Sequence, residues 1–354
     1  MLHLAEQLHD WFEQRREFAV ATVAAVTGSA PRQPGAAFAI DRDGTVIGSV
    51  SGGCVESALF ELCHQAIDDA DYRVETFGYS DDDAFAAGLT CGGEFTVVIQ
   101  PYLPYARSDD YRAADRAAAA AARGESARLL HEITGSGQPR IVRLHARTST
   151  ASRLALPRRL SAVTTTGLYD VAGTKMFLDV RLPRPQMVIF GSTDFAAALA
   201  HAASFIGYHV TVCDARPVFT TVQRFPHADE VVVQWPEQYL ARNPVGNDSA
   251  ICILTHDQRF DIPLVKAALA SPAAYVGAMG SRRTHEQRVA QLCAAGVNKE
   301  QLAKLRSPIG LDIGAATPEQ TAISIVAEIL SLSTRRSADS LSVTSGPIHA
   351  QRKV

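Results

Sequence analysis

The spacing of apolar residues near the start of the chain predicts a helix followed by a buried strand. Leu4, Leu8 and Trp11 recur at helical spacing within residues 3–17, with charged residues between them, as an amphipathic helix requires. The segment 18–26 is apolar apart from one threonine and is rich in valine. A continuous apolar run of this length predicts a strand that is buried on both faces.

Turn-forming residues divide the next part of the chain. Residues 36–40 and 45–50 are apolar runs separated by Asp-Arg-Asp-Gly at 41–44, a pattern that predicts a β-hairpin. The second strand leads into Ser-Gly-Gly-Cys at 51–54, after which apolar residues recur at helical spacing over 58–67. The Gly-Gly-Cys segment is therefore expected at a strand-to-helix turn.

In the second half of the chain, strand and helix patterns alternate regularly, which is typical of a doubly wound parallel sheet. The predicted strands and helices cover residues 186–190, 196–205, 209–213, 250–255, 263–270, 274–276, 286–295 and 319–330. Before this half, the Ala-rich segment 112–128 is helix-prone and leads to short strands that end near residue 180.

A stiff join between Pro183 and Pro185 separates the two patterns. We predict an α/β fold with an N-terminal mixed α/β domain over 1–183 and a Rossmann-like parallel-sheet domain over 184–333. Residues 334–354 are rich in Ser, Arg and Thr without periodicity, which predicts a disordered tail.

Composition narrows the class of protein. The chain has 354 residues, of which 47% are hydrophobic and 20% charged, so it can bury the cores of two domains. A net charge of −3 gives no global electrostatic reason to expect nucleic acid or an anionic membrane as partner. The sequence contains no run of about 18 to 20 apolar residues, so no membrane span is predicted. The first 16 residues lack the pattern of a signal peptide, so we expect a cytoplasmic protein.

The loop after the first strand is a candidate anion site. Residues 27–35 contain two glycines and two prolines, and a kinked loop of this kind exposes backbone N–H groups. Together with Ser29, the guanidinium of Arg32 is suited to bind a phosphate. The alternative is an ordinary solvated arginine on a surface loop.

Two of the six cysteines adjoin glycine pairs. Cys54 follows Gly52 and Gly53, and Cys91 precedes a second pair. The helix that follows Cys54 favours its thiolate form, and a thiolate is a soft ligand for a heavy metal. The alternative is packing, because a lone thiol is most often a buried apolar group. The six cysteines have no zinc-site spacing, and a reducing cytoplasm would keep them as thiols.

Gly191 lies between the first strand and first helix of the second half, where a dinucleotide fold binds its pyrophosphate. The second glycine of that motif is replaced by Thr193, and the charge of Asp194 follows. Both changes oppose binding of NAD or NADP and favour a Rossmann fold kept as a scaffold. Asp214 ends the second strand, where an acid either holds a ribose or caps a turn.

Two further strand ends carry polar groups. His256 follows the strand 250–255 and is a candidate acid, base or ligand, or simply a residue that caps the strand. Gly280, Ser281 and Arg282 follow the strand 274–276 and precede a helix, which favours an anion site. The alternative is that the arginine only meets neighbouring carboxylates.

Taken together, these segments resemble the XdhC/CoxI family, the xanthine dehydrogenase accessory factors, over most of residues 18–332. The motifs that carry the likeness are Gly-Ser-Ala-Pro-Arg at 28–32 with Pro34-Gly35, Gly-Ser-Val-Ser-Gly-Gly-Cys-Val-Glu at 48–56, Cys-Gly-Gly at 91–93, Asp-Ala-Arg-Pro at 214–217, Thr-His-Asp at 255–257, Gly-Ala-Met-Gly-Ser-Arg-Arg-Thr at 277–284, Pro-Ile-Gly-Leu-Asp-Ile-Gly at 308–314 and Thr-Pro-Glu at 317–319. The departure is Gly-Ser-Thr-Asp at 191–194, where the family usually has Gly-Ala-Gly-His.

The resemblance implies a homodimer that binds the molybdenum cofactor (molybdopterin) for sulfuration and for insertion into the apo-enzyme of a molybdenum hydroxylase. A cysteine desulfurase is a further implied partner. Arginines and N–H groups suit the cofactor's phosphate, strand-end polar groups suit its pterin, and a thiolate suits its metal. We assign cofactor binding to Ser29, Arg32, Gly52, Gly53, Cys54, Cys91, Gly191, Asp214, His256, Gly280, Ser281 and Arg282, with Cys54 as the metal ligand.

Two other classes of protein stay open at this point. An NAD(P)-dependent oxidoreductase would use the Rossmann-like domain, although Thr193 and Asp194 oppose it. A non-catalytic scaffold would recruit a partner enzyme and bind neither cofactor nor nucleotide. We assign no catalytic residue, because a maturation factor binds and releases its cargo without turning it over.

Overall fold

The structure is a computed structural model that describes residues 1–28, 32–53, 55–78, 93–105, 108–134, 140–146, 160, 163–255, 258–345 and 348. The chain divides into two compact units, one containing Met1–Pro183 and the other Arg184–Ser345. We call them the N-terminal unit and the C-terminal unit. Within the described residues, no helix is both long enough and apolar enough to span a bilayer.

The N-terminal unit contains two antiparallel sheets. Its elements after a short 3-10 helix at Leu2–Leu4 are α1 (Ala5–Glu13), β1 (Phe18–Thr27), β2 (Ala37–Asp41), β3 (Val46–Gly48), α2 (Glu56–Asp69), β4 (Arg73–Phe77), β5 (Glu94–Tyr102), α3 (Ser108–Ala122), β6 (Ala127–Thr134), β7 (Arg140–Ala146), β8 (Gly167–Val171) and β9 (Thr174–Arg181). The five-stranded sheet has the order β3-β2-β1-β5-β4 and the four-stranded sheet the order β7-β6-β9-β8. The predicted hairpin is confirmed as β2 and β3.

β1 is buried on both faces, as its apolar run predicts, because helices cover both sides of its sheet. On one face, Phe18 and Val20 pack in a core with α1 and the alanines of α3. On the opposite face, Ala19, Ala21 and Val23 pack in a core with α2. The first core is closed by edge-to-face rings, with Phe18 5.4 Å from Trp11 and 5.0 Å from Phe12 between ring centroids.

The C-terminal unit is a parallel six-stranded sheet with helices on both faces. Its elements are β10 (Gln186–Phe190), α4 (Asp194–Phe205), β11 (His209–Asp214), β12 (Glu230–Val233), α5 (Pro236–Arg242), β13 (Ala250–Ile253), α6 (Gln258–Ala270), β14 (Tyr275–Ala278), α7 (Arg282–Ala294), α8 (Lys299–Leu302), β15 (Leu305–Arg306) and α9 (Pro318–Thr334). The strand order is β12-β11-β10-β13-β14-β15, and every neighbouring pair is parallel. The predicted Rossmann-like fold class is confirmed.

Alternation along β10 explains how this sheet is buried. Met187 and Ile189 pack in a core with α4 and α9, whereas Val188 and Phe190 pack in a core with α5, α6 and α7. A strand covered on both faces reads as a continuous apolar run, which is why Gln186–Phe190 is predicted with its observed bounds.

Several predicted helices have wrong bounds. Those predicted over 286–295 and 319–330 are observed at Arg282–Ala294 and Pro318–Thr334. The Ala-rich helix ends at Ala122 and not at residue 128, because Gly124 takes a left-handed conformation (φ +76°) and β6 begins at Ala127. The helix predicted over 263–270 begins at Gln258 and contains Pro263. The elements β4, β12, α5, α8 and β15 are not predicted from the sequence pattern.

The bend after β10 depends on Gly191. This residue has φ +121°, and a Cβ atom there would lie 2.8 Å from Thr255 N and 2.9 Å from Leu254 C. These neighbours are backbone atoms of the segment after β13, so they cannot move aside as a flexible side chain could.

We predict that Gly191→Ala lowers the free energy of unfolding of the C-terminal unit by about 2 to 4 kcal/mol, from backbone strain and overpacking together. Gly207→Ala is the matched control, because Gly207 also has a positive φ (+92°) but a Cβ atom there would have no neighbour within 4 Å. The control should lose only about 1 to 2 kcal/mol. Urea unfolding followed by Trp235 fluorescence in a Trp11→Phe background measures both variants, and equal losses would contradict the close approach.

Candidate functional site

The loop between β3 and α2 wraps around one carboxylate. Oε1 of Glu56 accepts hydrogen bonds from the backbone N–H groups of Val50 (3.2 Å), Ser51 (3.0 Å) and Gly52 (3.1 Å). Its Oε2 accepts from the N–H groups of Gly53 (2.9 Å) and Val55 (3.2 Å). The hydroxyls of Ser49 and Ser51 donate to the same carboxylate.

This arrangement fixes the charge of Glu56. Partial burial would raise the pKa of Glu56, but the hydrogen bonds from Ser51 and Ser49 outweigh it and lower the pKa to about 2. Gly52 and Gly53, which are predicted from the sequence to bind the cofactor, donate their N–H groups to this internal carboxylate. The conformation of this loop is therefore fixed by hydrogen bonds to its own residue Glu56.

Four sequence-predicted residues, Ser29, Cys54, Cys91 and His256, lie outside the described residues. For Cys54, the structure describes the residues on either side, and both Gly53 and Val55 donate to Glu56. Among the described residues, no group of three or more His, Cys, Asp or Glu is arranged to hold a metal ion.

The other cysteines divide by burial. Burial raises the pKa of the Cys63 and Cys213 thiols to about 12, and it also raises the pKa of Cys252. A thiol with a raised pKa is a poor nucleophile and a poor metal ligand at neutral pH. Cys293 on α7 is free and exposed.

Arg32 lines a separate cleft of about 420 Å³ in the N-terminal unit. Thr166, the β9 residues Asp179 and Arg181, and His3 line the same cleft. The sequence analysis identified Arg32 but missed Arg181 and His3, since sheet pairing in the N-terminal unit brings these distant segments together.

In the C-terminal unit, the turn after β10 satisfies its own donors. Thr193 is the N-cap of α4, and its Oγ1 accepts from Ala196 N at 3.2 Å. Asp194 is exposed and lies 3.1 Å from Arg224 Nη2. The threonine thus uses a helix N–H group that a dinucleotide-binding turn leaves for the pyrophosphate.

Asp214 caps its own turn. Its Oδ1 accepts from Arg216 N (2.9 Å) and Nε (3.0 Å), and its Oδ2 accepts from Ser192 N and Arg216 Nη2, both at 2.8 Å. Burial would raise the pKa of Asp214, but the bonds from Arg216 and Ser192 outweigh it and hold the pKa below its usual value. The geometry therefore favours a turn cap over a ribose contact for Asp214. The hydrogen bond from Ser192 N also links Asp214 to the residue after Gly191.

The turn before α7 has one buried anchor. Ser281 caps α7 by accepting from Thr284 N at 3.1 Å, and Arg282 is exposed with no described partner. The sequence analysis missed Arg288, which is 3% exposed and donates to Asp261 (2.9 Å) and to the carbonyl of Met279 (2.9 Å). Arg288 thereby holds the backbone that precedes Gly280.

The fold and these sites define an α/β protein whose second unit is Rossmann-like but whose nucleotide turn is occupied by its own side chains. The sequence profile of the XdhC Rossmann domain matches residues 187–329, and that of the XdhC and CoxI family matches residues 11–78. The chain belongs to the XdhC and CoxI family.

Individual relatives share both units. The chain is 28% identical to a probable xanthine dehydrogenase subunit of Bacillus subtilis, over 90% of this chain and 94% of that one. It is 26% identical to the molybdenum cofactor insertion chaperone PaoD of Escherichia coli, over 90% and 84% of the two chains. A crystal structure of a xanthine dehydrogenase from Bacillus halodurans has a TM-score of 0.71 and 26% identity, covering 95% of this chain and 98% of that one.

Glu56→Gln should destabilise the N-terminal unit by about 2 kcal/mol at neutral pH, because an amide nitrogen cannot accept the N–H groups of Gly53 and Val55. The wild-type contribution is fully present above the unfolded-state pKa of about 4.5 and is lost as the pH falls towards 2. The difference between the two proteins should therefore shrink over that range. Urea midpoints measured from pH 7 to pH 2 test this.

Glu61→Gln, an exposed change on the same helix, is the control and should move the midpoint little. If the Glu56 and Glu61 variants lost equal stability at neutral pH, Glu56 would not organise the loop.

Proposed function

We propose that this chain holds the molybdenum cofactor and delivers it to the apo-enzyme of a xanthine dehydrogenase-type molybdenum hydroxylase. The observation that carries the proposal is the likeness to the insertion chaperone PaoD, which extends over 84% of that protein and includes both units. The cofactor is cargo here, so the chain needs binding and release and no turnover.

The proposed contacts follow the chemistry of the cargo. Arginines suit its phosphate. The candidates are Arg32 in the N-terminal unit or, as an alternative, Arg282 in the C-terminal unit, and both are exposed and free of described partners. Its metal is bound by the thiolate of Cys54, between two residues that Glu56 holds in place. Ser29, Cys91, His256 and the turn at Gly280 and Ser281 are further proposed contacts.

Proposed partners complete the assignment. While the cofactor is bound, a cysteine desulfurase supplies the sulfur for its sulfuration, and the chain acts as a homodimer in the cytoplasm. The form of the cofactor, mononucleotide or dinucleotide, follows from the hydroxylase that is served.

An NAD(P)-dependent oxidoreductase is the second candidate, favoured by the parallel sheet of the C-terminal unit. Two observations count against it. Thr193 takes the N–H of Ala196, and the oxygens of Asp214 accept from Arg216 and Ser192. The ion pair of Asp194 with Arg224 weakens the repulsion expected from Asp194 alone, so the capped turn is the stronger of the two arguments.

We predict that the purified chain binds cofactor released from a molybdenum hydroxylase and that Cys54→Ser lowers the affinity at least about tenfold, or about 1.4 kcal/mol. Affinity of the wild type should rise with pH, because the thiolate is the ligating form. Molybdenum content and pterin fluorescence of the protein peak after gel filtration measure both effects.

Cys293→Ser is the matched control, since Cys293 is an exposed thiol in the other unit, and its affinity should be unchanged. NAD titrated into the same preparation should give no binding in the low micromolar range. Binding of NAD without the cofactor would support the oxidoreductase, and binding of neither would support a scaffold.

A further inference from the structure

The cleft at Arg32 is walled by residues from separate parts of the N-terminal unit. Arg32 comes from the loop after β1, Arg181 ends β9, Thr166 precedes β8, and His3 belongs to the 3-10 helix at Leu2–Leu4. The volume of about 420 Å³ is within the range of small-molecule sites.

Within the described residues, the two arginines of the cleft have no partner of opposite charge. Among the described residues, neither the guanidinium of Arg32 nor that of Arg181 forms an ion pair or a side-chain hydrogen bond. Other arginines of this unit do have one: Arg16 lies 2.6 Å from Asp41, and Arg42 is paired with Glu17.

The carboxylate of Asp179, which also lines the cleft, already accepts hydrogen bonds from other groups. Asp179 is 1% exposed, and its Oδ2 accepts from the nitrogens of Met1 (2.8 Å) and Leu2 (2.9 Å). Its Oδ1 accepts from the hydroxyl of Thr166 at 3.4 Å. Asp179 therefore has its own donors and does not neutralise the two guanidinium groups.

The positive charges at the cleft affect the pKa of His3. Partial burial lowers the pKa of its imidazole, and the charges of Arg181, the Met1 amino group and Arg32 lower it further, opposed by Asp179. The two guanidinium groups and the Met1 amino group therefore make the surroundings of His3 positively charged, and an anion bound there would raise the pKa of His3.

We infer that this cleft binds a phosphate group between the guanidinium groups of Arg32 and Arg181. Planar guanidinium groups bind phosphate oxygens in a bidentate manner, and two of them match the charge of a phosphate monoester and also attract the more highly charged pyrophosphate. The identification of this phosphate as that of the molybdenum cofactor rests on the proposed function. The existence of the anion site is independent of the proposed function.

Inorganic pyrophosphate is the probe, titrated calorimetrically into the full chain at fixed, low ionic strength. Arg181→Ala should weaken its binding at least about tenfold, and Arg181→Lys should recover only part of the loss, because lysine is a point charge. Lys175→Ala removes the same charge from an exposed position at the start of β9 and should change the affinity less than about twofold.

The imidazole of His3 gives a readout that is independent of affinity. Its NMR titration should move to higher pH when pyrophosphate is added to the wild type, and should move less in Arg181→Ala. Absence of pyrophosphate binding by the wild type, or equal losses in Arg181→Ala and Lys175→Ala, would overturn the site.

The same variants separate this site from the proposed function. Pyrophosphate binding that depends on Arg181, in a chain that binds no cofactor, would support the cleft and overturn the proposed function. Cofactor binding by the wild type that Arg181→Ala leaves unchanged would keep the proposed function and overturn the cleft as the phosphate site.

Discussion

The hydrogen bonds that backbone N–H groups donate to the carboxylate of Glu56 are the interaction on which the loop around residue 54 depends. A loop with two consecutive glycines has a high conformational entropy when unfolded, so it needs a strong local constraint to keep one shape. The carboxylate supplies that constraint by accepting backbone N–H groups from both sides of residue 54. It does so in the ionised form over the whole range of physiological pH, because its pKa lies near 2.

In both units, buried or half-buried side chains form hydrogen bonds with the backbone of neighbouring turns. In the C-terminal unit, Thr193 and Asp214 take up donors around the Gly191 turn, and Arg288 ties the backbone before Gly280 to Asp261. The N-terminal cleft differs, because Arg32 and Arg181 have no described partner. Unpaired cations in a concave surface are a better indication of a ligand site than a fold that commonly binds nucleotides.

Apolar patterns predict the architecture well because burial on one or two faces leaves a direct trace in the sequence. The continuous runs of β1 and β10 and the alternation of elements after residue 186 are examples. Bounds set by backbone conformation are less visible, as the end of α3 near Gly124 illustrates. The alanines on both sides of that glycine have the same helix propensity.

Sites are harder to predict because they depend on which distant segments meet. Nothing local marks Arg181 as a neighbour of Arg32, and the choice between a ribose contact and a turn cap for Asp214 depends on where Ser192 and Arg216 lie. Glu56 has only a weak local signal, an acidic residue at the first position of a helix, which is common at helix N-termini in general. In the sequence, Glu56 stands out only as part of the family motif at 48–56.

Activation of a cofactor-free xanthine dehydrogenase-type hydroxylase tests the central claim most directly. The chain, loaded with cofactor and freed of excess by gel filtration, is mixed with the apo-enzyme, and xanthine oxidation is followed against an equal amount of free cofactor. The account predicts faster and more complete activation by the loaded chain, and no xanthine oxidation by the chain alone. Activation no better than that by free cofactor, or xanthine oxidation by the chain itself, would contradict it.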